Sequence, residues 1–186
     1  MTTFIILLII AAYLTYLYNS IISADNSAKR AWSDLVAYKR NLLKIIPKLE
    51  ESISSYRNYE SETLHSITKL RTSIDSLSTK EIDTSSLKET EELSKDVSTA
   101  LKVSLENYPE LKTDNLYIKF MKEWTDAQEN ITASINFFNQ AVENFNNKIM
   151  QFPTNLINKV FFRKDKIVEF NDAQSMQDFS YKPNFK

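Results

Sequence analysis

The sequence predicts an all-α protein: an N-terminal transmembrane helix followed by an elongated antiparallel bundle of three to four long helices. Three observations carry this expectation. The 186 residues contain no glycine, so sheets joined by tight primed hairpin turns are disfavoured. The first quarter opens with a charge-free apolar run. Beyond it, apolar residues recur at spacings of three and four over long stretches.

The anchor comes first. Phe4 to Tyr18 reads FIILLIIAAYLTYLY, and continuation to Ile22 gives 19 residues without a charge. At 1.5 Å per residue that is about 28 Å, close to the hydrocarbon thickness of a bilayer. Tyr13, Tyr16 and Tyr18 stand toward one end, where an interfacial aromatic belt belongs. A cleaved signal peptide is the rival reading. It calls for a basic start and small residues before the cut, whereas no Lys or Arg precedes this run and Ile22 would occupy the −3 position of a cut after Ala24. The residues favour an uncleaved anchor over 1–24, touching the bilayer through residues 4–22. Lys29, Arg30, Lys39 and Arg40 follow the run, so the positive-inside rule places the C-terminal domain in the cytoplasm.

The bundle is expected over 25–162. Residues 28 to 77 carry a four-three spacing through Ala28, Trp32, Leu35, Lys39, Leu42, Ile46, Leu49, Ile53, Tyr56, Glu60, Thr63, Ile67, Leu70, Ile74 and Leu77. Such a 3.5-residue period makes a coiled-coil-like seam, interrupted by Lys39, Glu60 and Thr63 and kinked at Pro47. A second helix starts near Ser85 or Ser86, with Ser86 and Glu89 as a capping box. It runs to about Asn107 through Leu93, Val97, Leu101 and Leu105, and Tyr108-Pro109 ends it. The third starts at Asp114 as N-cap and carries a stripe from Leu116 through Phe120, Trp124, Ile131, Phe138, Val142, Phe145 and Ile149 to Phe152. Pro153 stops it. Asn155 to Phe162 reads as one more short helix, and 163–186 as an extended or disordered tail.

Composition excludes many functions. With 23 basic and 24 acidic residues there is no electrostatic footprint for nucleic acid. Without cysteine there are no disulfides or thiolate metal sites. Without glycine, phosphate-cradling loops and nucleophile elbows are effectively out. Glu62 and His65 have the Glu-x-x-His spacing of di-iron bundles, but that site needs a second copy and His65 is the one histidine. Glu60 lies on a different face. No cofactor, metal or catalytic residue is expected. Lys39 and Glu60 are about 31 Å apart along a helix, so each must snorkel or bond to another helix. Trp32 and Trp124 read as core. Asn139 and Asn146, seven apart beside Phe138 and Phe145, read as register-fixing rungs between helices or as partner-facing groups. Arg163, Lys164 and Lys166 follow Phe161 and Phe162, a pattern that fits a membrane- or partner-docking patch.

Several stretches in one order resemble the LemA family of bacterial, membrane-anchored helical proteins. Ala31-Trp32 heads the first helix as in that family. Ile46-Pro47 with Leu49 resembles its IPxL element, and Tyr56, Glu60, Glu62-Thr63-Leu64, Thr68 and Arg71 fall in register. Glu106-Asn107-Tyr108-Pro109 with Leu111-Lys112 resembles its ENYPxLK signature. Asn139, Ala141-Val142 and Asn146 resemble YNxAVxxYN, with Phe138 and Phe145 for the tyrosines. Gln151-Phe152-Pro153 and Asn155 resemble QFPxN. The resemblance covers roughly residues 4 to 170. It implies an anchored helical bundle in the bacterial inner membrane and supplies no settled activity. Glu60, Tyr108, Asn139, Asn146, Phe152 and Asn155 are the motif positions that could face a partner. The expected function is a membrane-anchored interaction or scaffold protein, with a protein partner and weak self-association, rather than an enzyme. The alternative is a carboxylate-dependent metal-binding or hydrolytic enzyme using Glu60.

Overall fold

The computed structural model describes residues 1–53 and 61–171, and the side chains of all of these except 50–53, 61 and 62. Helix α1 spans Thr2–Ile53, α2 Ser61–Ser76, α3 Thr84–Asn107, α4 Asn115–Met150 and the short α5 Thr154–Ile157. A 3₁₀ turn, Pro109–Thr113, joins α3 to α4, and a π-type turn, Asn158–Phe162, follows α5. No strand occurs among the described residues.

Helix α1 runs unbroken from the apolar run into the bundle, passing Asp25, Ser27 and Pro47. The other helices go up and down beside it. The α2–α3 connection lies against its middle: Trp32 donates its indole N–H to the Ser78 carbonyl at 2.8 Å, and Arg40 donates to that of Leu77 at 2.9 Å. Helix α4 returns antiparallel along α1, with Trp32 against Phe138 at 5.4 Å between rings and Lys48 paired to Glu123 at 2.6 Å. The result is a four-helix bundle.

Caps and stops follow local chemistry. Asp114 is the N-cap of α4 as the sequence predicts, accepting from the Leu116 and Tyr117 N–H groups. The cap of α3 is Asp83, not Ser85 or Ser86. Its carboxylate accepts from the N–H groups of both serines and from the Ser86 hydroxyl, three donors that one serine hydroxyl could not match. Those bonds, led by the Ser86 hydroxyl, hold the Asp83 carboxyl below its ordinary value.

The core takes the predicted apolar positions with two changes of phase. The stretch 28–77, read as one seam, is two helices, α1 and α2, with Trp32 of the first meeting Ser78 just past the second. The side chains of Ile53, Tyr56 and Glu60 lie outside the described residues. Trp32, Leu35, Leu42, Ile46, Ile67, Leu70 and Ile74 are buried on α1 and α2, and Phe120, Trp124, Phe138, Val142 and Phe145 on α4. Helix α4 begins its inward face with Tyr117, whose hydroxyl donates to the Leu101 carbonyl, while Leu116 faces solvent. Phe152, at the other end of the predicted stripe, is 79% exposed. On α3 the buried positions are Leu87, Thr90, Ser94, Val97, Leu101 and Ser104, and Leu93 and Leu105 only flank them. Half of that inward face is small and polar, which makes room for a charge. Lys39 is fully buried there, its ammonium 2.5 Å from Glu91 and 3.3 Å from the Ser94 hydroxyl. Burial pushes the ammonium below its ordinary 10.5, and Glu91 only partly counters it.

A buried cation and its partner are costly to separate. Lys39→Met should lower stability by about 3–5 kcal/mol, because it leaves the Glu91 carboxylate in the bundle without a countercharge. Lys39→Met with Glu91→Leu should recover most of that loss. Thermal unfolding of the full chain in detergent, followed by circular dichroism, distinguishes the two. Equal loss in the single and double variants would mean that the pair is not what the site depends on.

Candidate functional site

Three asparagines organise the half of the bundle nearer the apolar run of α1. Asn146 donates its Nδ2 to the Ile167 carbonyl at 2.9 Å and accepts the Ile167 N–H on Oδ1 at 3.0 Å. Asn139 does the same to Phe170, at 2.8 and 2.9 Å. Asn158 repeats it on Lys164, at 3.0 and 3.1 Å. Each carboxamide thus satisfies both backbone groups of one residue, as a neighbouring strand would. Residues 163–171 have no regular structure of their own and lie along α4 as a strap.

The spacings explain the fit. Seven helical residues advance about 10.5 Å, and three residues of extended chain advance about 9–10 Å. Asparagines seven apart on α4 therefore meet backbone groups three apart on the strap. Phe170 is buried and Ile167 rests on the core, while Val168 and Glu169 face outward. The strap begins at Arg163, which adopts a left-handed conformation (φ 51°) where α5 and its π-type turn end. Glycine is the usual occupant of such a cap, and a side chain there costs about 1–2 kcal/mol. The Arg163 N–H bond to the Asn158 carbonyl and the Asn158 clamp on Lys164 over-determine the turn.

One ion-pair cluster ties the strap to α1. Asp25 receives Lys164 at 2.7 Å and Lys29 at 2.9 Å. Burial alone would raise the Asp25 carboxyl, but the two ammonium groups together outweigh it and hold the carboxyl below its ordinary 3.8.

The remaining motif residues are dispersed. Tyr108 forms the C-cap of α3, half-buried against the core. Phe152 stands exposed past the end of α4. Asn155 lies in α5 with its Oδ1 buried and unbonded. Glu60, and with it the proposed carboxylate chemistry, lies outside the described residues. The amides of Asn139 and Asn146 bond to the chain's own strap and not to a facing helix, so the rungs they form are helix to strap. Sequence reasoning missed Asn158 and the strap. The signal was a period of three, Lys164, Ile167 and Phe170, which belongs to neither helix nor strand.

Away from the strap, α1 and α4 frame an open groove of about 810 Å³ lined by Arg30, Ala31, Asp34, Tyr38, Ser134 and Phe137. Phe137 is 67% exposed and Tyr38 42%. No group of three or more His, Asp or Glu side chains placed to hold a metal ion occurs among the described residues. Helix α1 is long and apolar enough to cross a membrane.

Removing a clamp should free the strap and leave the helices in place. Asn139→Ala with Asn146→Ala strands four backbone groups of Ile167 and Phe170, at about 1–3 kcal/mol for each buried group left unpaired. A nitroxide on Val168→Cys should become mobile while the helical circular dichroism is unchanged. Unchanged mobility would mean that the asparagines do not hold the strap. The same label reads the Asp25 cluster. A carboxyl lowered in the folded state contributes stability that is complete above pH 3.8 and is lost as pH falls through its folded value. Mobility should therefore rise below that pH, and Asp25→Asn should give the same mobility at neutral pH. A label that stays fixed in the Asp25→Asn variant at neutral pH would remove the cluster from this role.

Comparison with known proteins gives two findings. The sequence model of the LemA family matches residues 31–180. A curated relative, Protein LemA of Metamycoplasma hominis (strain ATCC 23114), is 30% identical over 156 residues, which are 83% of this chain and 70% of the relative.

Proposed function

This chain belongs to the LemA family, and from that membership we propose that it is a single-pass membrane protein whose bundle serves as an interaction scaffold rather than a catalyst. Its site is the bacterial inner membrane, with the apolar run of α1 in the bilayer and the bundle in the cytoplasm. The observation that carries the scaffold reading is the groove between α1 and α4. Two exposed aromatic rings, Phe137 and Tyr38, line it together with small residues and the exposed charges of Arg30 and Asp34. Exposed apolar rings beside opposite charges suit an amphipathic helix, which offers an apolar face flanked by charged ones. Its occupant would be an amphipathic helix of another protein. Weak self-association follows from confinement to the membrane, which raises the local concentration of every copy.

Two experiments test this. A photo-crosslinking residue replacing Phe137 should yield a discrete adduct in native membranes. The same residue replacing Lys88, exposed on α3, should yield none. Arg30→Glu with Asp34→Lys should abolish the adduct; adducts of equal yield at both positions would contradict a specific groove. For orientation, the chain has no cysteine of its own. Ser85→Cys should therefore resist a membrane-impermeant thiol reagent until cells are lysed. Labelling of intact cells would place the bundle outside.

A further inference from the structure

Given the anchor just proposed, the length of α1 leaves a deficit. All residues from Thr2 to Tyr16 are exposed, and burial against the bundle begins at Leu17, 6% exposed, and Ile21, 0%. The free apolar shaft is therefore 15 residues, about 22 Å, against a hydrocarbon core of about 30 Å. A straight shaft leaves about 8 Å of hydrocarbon to be met by whatever surrounds residues 17 to 22.

What surrounds them is the end of the bundle. The Tyr18 ring packs on Phe162 at 4.6 Å and on Phe161 at 6.0 Å. At this level α4 ends, and α5 and its π-type turn close the bundle. The cap they form exposes Met150, Phe152, Leu156, Val160 and Phe161, from 43% to 79% of each residue. So many large apolar side chains at one end of a helical domain mark an interaction surface. From Lys148 to Lys164 the sequence has four basic residues and no acidic one. Lys159 and Arg163, both exposed, flank the apolar residues.

We propose that this cap is a second membrane-contact element. The α5 segment inserts Phe152, Leu156, Val160 and Phe161 into the bilayer interface beside α1, and Lys159 and Arg163 bind anionic lipid headgroups. The partner is a lipid surface. Apolar side chains beside basic ones are the composition of an interfacial segment, and the contact with Tyr18 fixes that segment at the depth where the shaft falls short. The protein then holds the bilayer at two points, one spanning and one lying on its surface, and the bundle stands in a fixed orientation instead of swinging on a tether.

Nitroxide depth in nanodiscs of mixed zwitterionic and anionic lipid tests this with the full chain. Single cysteines replace Tyr13 in the shaft, Val160 in the cap and Lys88 on α3. Accessibility is read against oxygen, which partitions into lipid, and a neutral nickel chelate, which stays in water. The Tyr13 and Val160 labels should both favour oxygen, several-fold over Lys88, and Lys159→Glu with Arg163→Glu should return Val160 toward the Lys88 value. A Tyr13 label in lipid with a Val160 label in water would overturn the cap and leave the anchor standing. A Val160 label shielded from both reagents would overturn it in favour of a second copy of the chain. A Tyr13 label in water would remove the anchor, and the cap with it.

Discussion

A helix bends cheaply only where its hydrogen-bond ladder is interrupted, and over 52 residues α1 has a single candidate, Pro47, near the end far from the apolar run. Between Thr2 and that proline there is neither glycine nor proline. The rest of the structure depends on this continuity. The apolar run and the bundle share one axis, so the depth of the first sets the position of the second. Trp32 and Arg40 hold the α2–α3 connection, Lys39 reaches α3, and Phe138 and Glu123 of α4 meet Trp32 and Lys48. Each of these contacts is measured from the same rod.

Two polar features inside that frame trade stability for uniqueness of arrangement. Leucines of similar volume would fill the space of Lys39 and Glu91 at less desolvation cost. An ion pair nevertheless accepts one register of α1 against α3, whereas an apolar seam tolerates several. The asparagine clamps act likewise on the strap. Each amide fits one residue's N–H and carbonyl together, so a slip of one residue along the strap would break the whole set. The strap in turn carries Lys164 to Asp25, which closes the end of the bundle against α1.

The sequence made the helices legible because their period is long and the breaks are few. The apolar run, the apolar seams of α1 and α2, the Asp114 cap and the stops read at Tyr108-Pro109 and Pro153 each rest on a strong local signal, although α4 ends at Met150, a turn before that last proline. Helix α3 was legible in extent and half legible in phase: Val97 and Leu101 are buried as read, while Leu93 and Leu105 only flank the core. Its inward face is half Thr and Ser, which carry no apolar signal, so the leucines at 93 and 105 drew the stripe a step away. The cap of α3 went astray because a box spelled by Ser86 and Glu89 competes with an aspartate three residues before Ser86. The site was the least legible. Asn139 and Asn146 stood out by spacing, but their partner is backbone, and backbone has no letter in a sequence. Asn158 and the strap were invisible for the same reason.

A rigid shaft also gives the functional reading its physical content. Under the proposed function, a scaffold on a flexible tether would sample a hemisphere, while one on a continuous helix would present its groove at a fixed height above the bilayer. The distance between nitroxides on Tyr13→Cys and Lys44→Cys, in the full chain in nanodiscs, measures this most directly. Along an unbroken helix the 31 intervening steps give about 46 Å between backbone positions. The continuous shaft requires a single narrow distribution near that distance. A broad distribution centred well below it would mean that α1 breaks beyond the apolar run, and that the run and the bundle are independent.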